Sequence, residues 1–431
     1  MAADFVGGHF LWYTECMNSF LKRASVLLAV LCILTPTAAS AATKATTAKK
    51  AAPKPAPLEI GGWVPYWRMA TGTADVLSHV NELTSVMPFG YTMKTDGTIF
   101  DAMNFDTYAS STDVHALVAV AHAQKVRVVP TIMWSDGDAI QATLSSTKKR
   151  VALEDAITKL VKDNKFAGID IDFEGKKAET ENYFSTFLKG LAQRFGTKKW
   201  LYCAVEPRTP VADRYSGTPP KDATQYANDY TAIGKYCDRV EIMAYDQGTI
   251  DLTLNAAADG TPYIPVADPA WVKAVVTLAA KSIPKSKIVI GVATYGYEYQ
   301  VTKLSEYGFR YDLQWAFDPN YATGLAAMLG ITPARNAAGE LSFSYTPTTT
   351  TETSTLPASA TQSNVGVAST SYSDGATTTA QAAVPTNIVW WSDAQAIKDK
   401  MDLARSLGVR GISLFKLDGG EDQNVWSVIK Q

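Results

Sequence analysis

The chain has 431 residues, of which 46% are hydrophobic and 19% are charged, with a formal net charge of −2 at pH 7. This composition is typical of a soluble globular protein, and the length allows one large domain with additions or two domains. The small net charge gives no reason to expect nucleic acid or an anionic membrane surface as a partner.

The first 41 residues are predicted to be a secretory signal peptide. A basic pair at 22–23 precedes an almost wholly apolar run at 24–33, and Ala39-Ser40-Ala41 fits the small-x-small rule for cleavage. The apolar run is too short to span a bilayer comfortably, although an uncleaved anchor is the alternative. The basic pair lies unusually far from the first residue, which makes Met17 a candidate for the true start. We expect the mature protein to be secreted or associated with the cell envelope.

Residues 42–57 form a predicted linker of lysine, alanine, threonine and proline that has nothing to bury. A solvated spacer is one interpretation, and contact of its lysines with an anionic cell envelope is the other. The remaining residues, 58–431, are predicted to form the folded part of the protein.

Eight short apolar runs rich in β-branched residues follow, and the segments between them carry apolar residues at helical spacing. The runs are 60–64, 83–87, 126–133, 168–173, 200–205, 239–244, 287–293 and 409–415. Strands that alternate with helices indicate an α/β fold with a parallel sheet, and eight such units predict a closed (β/α)8 TIM barrel. A doubly wound open sheet is the alternative, although no glycine-rich phosphate loop follows the first run.

The regular spacing is interrupted once, after the seventh run. Residues 299–386 are predicted to be an insertion between the seventh strand and the following helix, because the gap far exceeds a normal βα loop. Threonine-rich stretches at 346–355 and 377–379 make part of it low in complexity. Since βα loops open at the rim of a barrel where active sites form, we expect the insertion to make one wall of a groove. A disordered surface loop is the alternative for 349–383.

Two cysteines, Cys203 and Cys237, remain once the signal peptide is removed. They can pair in an exported protein, but each lies in or beside an apolar strand, where a buried free thiol is ordinary. The sequence leaves both possibilities open. The four histidines form no cluster with the spacing of metal ligands, so neither a metal nor a cofactor is expected.

Three acidic residues, Asp170, Asp172 and Glu174, alternate with apolar residues along the fourth run. Alternate side chains of a strand share a face, so the acids point into the barrel if the apolar face packs on the helices. Neighbouring buried carboxylates repel each other, and at least one is then forced to hold a proton near neutral pH. Glu174 is nearest the carboxyl end of the strand, and we expect it to give that proton to a substrate. An edge strand with a solvated acidic face is the alternative.

This stretch resembles the signature of glycoside hydrolase family 18, the chitinase-type family, whose pattern is Asp-Gly-x-Asp-x-Asp-x-Glu. Ala167 stands in place of the first Asp, and the other positions match. The run Met243-Ala244-Tyr245-Asp246 is similar to the family's Met-x-Tyr-Asp. Tyr295-Gly296-Tyr297 resembles its Tyr-Gly-Arg, with Tyr297 in place of Arg. The eighth run, 411–415, resembles the family's last strand, which usually carries Trp where this chain has Phe415.

The resemblance covers roughly residues 58–431, and a large insertion after the seventh strand is also a habit of the family. The chain looks closest to the branch that acts on bacterial spore and cell-wall glycans, because residues 63–67 and 173–175 read like that branch. Ala167 lies furthest from the chemistry, so we expect it to tune Asp170 without loss of function.

The resemblance implies substrate-assisted hydrolysis with retention of configuration, in which the substrate's own acetamido oxygen attacks the anomeric carbon. It implies that Glu174 protonates the leaving oxygen and then activates water. Asp172 would orient the acetamido group with Asp170 behind it, Tyr245 would hydrogen-bond the acetamido oxygen, and Asp246 would contact the sugar.

The implied substrate carries a 2-acetamido group, as chitin, chito-oligosaccharides and peptidoglycan do. Beside Asp246, the expected substrate-binding residues are Met243 and Phe415, with Phe415 as the floor of the site. Aromatic side chains near strand ends are further candidates for stacking on sugar rings, and these are Trp63, Trp67, Trp134 and Tyr295. We expect a monomer whose partner is an N-acetylated polysaccharide or oligosaccharide, with no nucleic acid and no stable membrane span after signal cleavage.

Two other functions stay open at this point. One is a conventional retaining glycosidase with Glu174 as the acid and Glu206 as a second carboxylate, which requires carboxyl groups about 5–5.5 Å apart. The other is a non-catalytic glycan-binding barrel, although proteins of that kind typically lose the acid that this chain keeps.

Overall fold

The computed structural model describes residues 57–106, 113–347, 372–373 and 386–430. The predicted signal peptide, the linker up to residue 56 and most of the low-complexity range 349–383 lie outside the described residues. In chain order the strands are β1 (Glu59–Pro65), β2 (Ser85–Met93), β3 (Ile99–Asp101), β4 (Arg127–Val128), β5 (Thr131–Trp134), β6 (Gly168–Phe173), β7 (Trp200–Val205), β8 (Arg239–Ile242), β9 (Ile288–Ala293), β10 (Gly296–Lys303), β11 (Phe309–Phe317), β12 (Ala334–Arg335), β13 (Leu341–Tyr345), β14 (Tyr372–Ser373), β15 (Thr386–Trp391) and β16 (Gly411–Phe415).

The α-helices are α1 (Met69–His79), α2 (Asp113–Ala123), α3 (Gly137–Leu144), α4 (Thr147–Asp163), α5 (Glu181–Phe195), α6 (Val211–Arg214), α7 (Tyr230–Tyr236), α8 (Leu252–Ala257), α9 (Pro269–Ala279), α10 (Pro319–Leu329), α11 (Ala394–Leu407) and α12 (Val425–Ile429). None of the helices among the described residues is both long enough and apolar enough to cross a membrane.

Eight of the strands close into a parallel barrel. Their order is β1-β16-β9-β8-β7-β6-β5-β2, and β1 also pairs with β2, so the ring is continuous. Each run predicted from the sequence coincides with one barrel strand, which confirms the (β/α)8 TIM barrel. The third run differs in detail, because it contains both β4 and β5, separated at Pro130, which has no N–H to donate to a neighbouring strand.

Local sequence signals fix where the helices lie. Six of the described helices have an N-cap side chain that accepts a backbone N–H, a contact that stabilises a helix by about 1 kcal/mol. These caps are Asp136, Ser146, Asp229, Asp251, Asp268 and Asp393. The apolar face of α5 carries Phe184, Phe187 and Leu191, all fully buried. This face packs against the outer surface of β6 and holds that strand in place.

A cluster of ionic groups lies at the amino-terminal end of the barrel. Glu59 of β1 pairs with Arg127, Arg239 and Arg410, with the nearest N–O distances between 2.6 and 3.0 Å. Burial alone would raise the pKa of Glu59, but the hydrogen bond from Arg239 and the charges of the three arginines lower it to about 2. This end of the barrel is therefore held by a carboxylate that stays ionised at all but very acidic pH.

The insertion after β9 is built around an antiparallel sheet. Its strand order is β12-β13-β15-β10-β11-β14, and α10 covers one face with a separate apolar core. Buried Glu340 accepts the backbone N–H groups of Val266 and Ala267 at 2.9 and 2.7 Å, which ties the insertion to a loop of the barrel. The sheet begins at Gly296 and ends at Trp391, so Gly296 and Tyr297 of the Tyr295-Gly296-Tyr297 run belong to its first strand.

The structure settles the state of the two cysteines that the sequence left open. Cys203 of β7 and Cys237, two residues before β8, form a disulfide with a Cα–Cα distance of 6.1 Å. Both residues are fully buried, so the bond links neighbouring barrel strands from within the packed layer.

Candidate active site

The acidic face of β6 points into the barrel, as the alternation predicted. Asp170 and Asp172 are 0% and 4% exposed, and the apolar residues between and beside them are fully buried on the opposite face. Phe173 on that outer face packs against Phe187 of α5, with ring centroids 5.5 Å apart. The packing of the apolar face on the helices is therefore what turns the carboxyl groups inward.

Asp170 is held by one donor from the neighbouring strand β5 and one from β1, across the barrel. Trp63 Nε1 and Thr131 Oγ1 both donate to its Oδ2 atom, at 3.0 and 2.8 Å. Burial nevertheless outweighs these hydrogen bonds and raises the pKa of Asp170 to about 6. The backbone N–H of Ala204 is a further hydrogen-bond donor to this carboxyl group.

A fourth carboxyl group, Glu241 of β8, interacts with Asp170. Glu241 is fully buried and accepts a 2.6 Å hydrogen bond from Ser413 as well as interacting with the Asp170 carboxyl group. Two carboxyl groups in contact need a proton between them. Burial and the charge of Asp170 raise the pKa of Glu241 well above its usual range, which fits this shared proton.

Asp172 and Glu174 form a second pair of interacting carboxyl groups. Burial, followed by the charges of Glu174 and Asp170, raises the pKa of Asp172 well above its usual range. Glu174 is half-buried, and burial together with the charge of Glu206 raises its pKa, while Lys176 and a hydrogen bond with Asp172 oppose the rise. A carboxyl group that keeps its proton towards neutral pH can act as a general acid.

A cluster of aromatic rings lies next to these acids. Tyr245 stacks on Phe415, with centroids 5.7 Å apart and planes 14° apart. Phe415 is partly exposed and also contacts Trp63 and Phe89 edge-on at 5.8 and 6.1 Å. The peptide bond that follows Phe415 is cis. Phe415, the predicted floor of the site, therefore lies in the middle of an aromatic cluster.

Asp246 stands at the rim of the same site and is exposed to solvent. Its Oδ1 atom accepts hydrogen bonds from the hydroxyls of Tyr295 and Tyr297, both at 2.6 Å. Its φ of 57° is uncommon for a residue other than glycine and is typical of functional sites. Desolvation by the surrounding residues raises the pKa of Asp246, and the hydrogen bonds from Tyr295 and Tyr297 offset only part of that rise. Tyr297, which replaces the expected Arg, is thus one of its two donors.

Three of the predicted sugar-stacking residues do not offer a ring face to the cleft. Trp63 and Tyr295 are 2% and 0% exposed, and they serve instead as donors to Asp170 and Asp246. Trp134 is 2% exposed and lies on the outer side of the barrel, edge-on to Phe173 at 5.4 Å. The prediction for Trp134 is corrected by the strand register, which places it beside the outward-facing Phe173.

Other predicted residues lie as follows. Met243 is partly buried and follows β8, two residues before Tyr245. Trp67 is also partly buried and contacts Phe89 edge-on at 5.8 Å. Ala167 lies at the opposite end of β6 from Glu174 and packs against the aromatic interior of the barrel. Glu206 follows β7 directly and belongs to the charged group around Glu174.

Sequence reasoning missed Glu241 as part of the site. The signal was present, because Glu241 alternates with Met243 and Tyr245 and so shares their face at the end of the sixth run. It also missed the role of Thr131 as a donor to Asp170, which depends on the pairing of β5 with β6.

The profile of the family described as Glycosyl hydrolases family 18 matches residues 61–420 of the chain. The chain is 24% identical over 297 residues to the uncharacterized glycosylase YvbX of Bacillus subtilis (strain 168), an alignment that covers 69% of this chain and 70% of that protein.

The fold resembles that of many solved structures, two of which serve as examples. The spore cortex-lytic enzyme SleL of Bacillus megaterium QM B1551 aligns with a TM-score of 0.62 and 21% identity, over 88% of this chain and 74% of SleL. The chitinase from Chromobacterium violaceum ATCC 12472 aligns with a TM-score of 0.62 and 19% identity, over 87% of this chain and 98% of the chitinase. At these identities the likeness establishes the barrel fold.

Proposed function

The chain belongs to glycoside hydrolase family 18 and is therefore a glycosidase, and on that premise we propose that it cleaves β-linked N-acetylglucosamine-containing glycans by substrate-assisted, retaining catalysis. The observation that carries the proposal is the row of inward-facing carboxyl groups of Asp170, Asp172 and Glu174, which ends at the half-buried Glu174 near Tyr245. This row supplies an acid and a supported second carboxyl group, and the substrate supplies the nucleophile.

The proposed reaction uses these side chains in two steps. The acetamido oxygen of the substrate attacks the anomeric carbon while Glu174 donates its proton to the leaving glycosidic oxygen. Asp172 stabilises the positive charge that develops on the acetamido nitrogen, and the hydroxyl of Tyr245 hydrogen-bonds the acetamido oxygen. Glu174, now ionised, takes a proton from the water that opens the cyclic intermediate, so the configuration is retained.

Asp170 and Glu241 support Asp172 from behind. Asp170 and Glu241 are both buried and interact with each other, and the charge of Asp170 helps to raise the pKa of Asp172. Phe415 and Tyr245 close the site from below, and Asp246 binds the sugar from the rim. Water is kept from the buried carboxyl groups by this aromatic floor, which strengthens their electrostatic interactions.

Chitin and peptidoglycan both carry the required acetamido group. Similarity to an enzyme named for spore cortex lysis and to a chitinase favours neither alone. The decisive experiment measures release of reducing ends from chito-oligosaccharides and from purified peptidoglycan, with Glu174→Gln as the control. We expect one polymer to be hydrolysed and the variant to lose activity on it. Equal activity of wild type and variant would exclude Glu174 as the acid.

A thiazoline mimic of the cyclised intermediate separates the two retaining mechanisms. Substrate-assisted catalysis predicts inhibition, because the mimic reproduces the bicyclic ring that the site binds best. A conventional retaining glycosidase that uses Glu206 as nucleophile predicts a covalent glycosyl–enzyme adduct and no inhibition by the mimic.

We also propose that the protein acts outside the cytoplasm. The Cys203–Cys237 disulfide supports this, because such bonds persist in oxidising compartments. Fractionation of cells that express the full chain, followed by thiol labelling, tests the idea. Recovery in the cytoplasm with both thiols free would contradict it.

A further inference from the structure

Glu206 lies beside Glu174 because of the strand register. β6 and β7 pair in parallel with Gly168 opposite Trp200 and Ile171 opposite Cys203. The same register continued by three residues places Glu206 opposite Glu174, each directly after its strand and on the inward-facing side. Neighbouring strands are about 4.8 Å apart, so the side chains of Glu174 and Glu206 lie next to each other at the carboxyl ends of their strands.

Three contacts hold the Glu206 carboxyl group. The backbone N–H of Gly175 lies 3.3 Å from Oε1, and Asn228 Nδ2 donates to Oε2 at 2.5 Å. Lys176 Nζ lies 3.6 Å from Oε2. Gly175, with a φ of 62°, begins the turn that directly follows Glu174, so Glu206 is attached to the peptide that sets the direction of the acid.

Lys176 is not a free counterion for the site. Its side chain is fully buried, its ammonium group donates to the carbonyl of Phe173, and it lies 4.8 Å from the centroid of the Phe184 ring. Lys176 thus holds the last residue of β6 as Glu206 holds the first residue of the turn. The Lys176–Glu206 ion pair therefore contacts the chain on both sides of Glu174, at Phe173 and at Gly175.

The charged groups that face Glu174 come from three elements. Glu206 follows β7, Asp246 follows β8, Asp172 belongs to its own strand, and Lys176 follows it in sequence. Among the residues that the structure describes, Lys176 is the cation that opposes these acids at Glu174. Removing the Glu206 charge leaves Lys176 opposed to fewer acids, which favours the ionised form of Glu174.

We propose that Glu206 is a positioning residue for Glu174: it holds the Gly175 turn that aims the acid, and its negative charge keeps the acid protonated before the substrate binds. This inference rests on the proposed function of Glu174 and assigns Glu206 no reaction with the substrate. It follows that the alkaline limb of the pH–rate profile is set partly by a residue outside the family signature.

The test uses the full chain and a chito-oligosaccharide or peptidoglycan, whichever the wild type hydrolyses. A sugar leaving group needs its proton from the acid, whereas an activated aryl glycoside would conceal the effect. The variant Glu206→Gln keeps the size and an oxygen for Gly175, and Asn228 can turn its amide because its Oδ1 atom has no partner in the described structure. The substitution thus removes chiefly the charge.

We expect the alkaline limb of kcat/KM for E206Q to move to lower pH by about one unit, because that limb reports the pKa of the free enzyme's acid. Activity at the acidic side of the profile should stay within about threefold of wild type. Lys176→Met should move the limb in the opposite direction. Glu179→Gln, an exposed charge three residues beyond Lys176, is the matched control and should leave the limb in place.

Three results would overturn the inference. A limb that does not move in a folded E206Q variant removes the electrostatic role. A uniform loss of activity and of Tm at every pH indicates a purely structural role. Complete loss of activity in a folded E206Q variant, with a trapped adduct in the wild type, makes Glu206 the nucleophile. Failure of the proposed function is a separate result, since it appears as activity that survives Glu174→Gln.

Discussion

Replacing Asp170 with asparagine is expected to stabilise the fold at neutral pH while it impairs catalysis. The pKa of Asp170 rises from 3.8 to about 6 in the folded protein, because burial outweighs its hydrogen bonds. That difference of about two pKa units corresponds to about 3 kcal/mol. The folded state binds the proton more tightly, so this stabilisation is complete below pH 3.8 and is lost as the pH rises through about 6.

Asparagine avoids that loss because it stays neutral. Its oxygen can still accept from Trp63 and Thr131, and its amide nitrogen can donate to Glu241, which replaces the shared proton. Relative to wild type, D170N should therefore gain up to about 3 kcal/mol in free energy of unfolding between pH 3.5 and pH 7.5. Its kcat should fall, because Asp172 loses a partner that can change its charge.

Urea unfolding at several pH values measures the difference, and hydrolysis assays on the same samples measure kcat. Asp222→Asn, at an exposed aspartate, is the control and should show no comparable gain. Equal pH dependence of unfolding in D170N and wild type would refute the reasoning, since it would mean that Asp170 has the same proton affinity in both states.

Three further predictions follow from other parts of the molecule. Glu59→Gln should lower the free energy of unfolding at pH 7 by about 3 kcal/mol, because the pKa of Glu59 falls from 4.5 to about 2 in the folded state. Urea titrations at several pH values should show that this difference disappears as the pH falls through about 2. Replacing Cys203 and Cys237 with serine should cost about 3–4 kcal/mol for a sequence separation of 34, and unchanged unfolding would contradict the bond. Tyr297→Phe removes one of two donors to Asp246 and should raise KM about tenfold with little change in Tm.

Much of the barrel could be predicted because each strand has a recognisable pattern in the local sequence. Each strand is a short apolar run between helices with polar faces and caps, and the period of the pattern changes at each boundary. The acids of β6 were equally readable, since alternation alone puts Asp170, Asp172 and Glu174 on one face.

What could not be predicted depends on which residues meet across strands. Trp134 sits near a strand end, like a residue of the site, but register pairs it with Phe173 and so turns it outward. Thr131 reaches Asp170 through the pairing of β5 with β6, and Trp63 reaches it from β1 across the barrel; the sequence displays neither relation. The insertion sheet joins β10 to β15 across a long stretch of chain, and no local pattern specifies such a partner.

The two ends of the barrel shift the pKa values of their carboxyl groups in opposite directions. At one end Glu59 is clamped by three arginines, so acid tolerance of the fold is limited there. At the other end burial raises the pKa values of Asp170 and Glu174, and we expect these values to influence the pH at which catalysis is fastest. A library directed at the residues around Glu174 should shift the working pH of the enzyme while its acid-denaturation midpoint stays where the arginine cluster sets it.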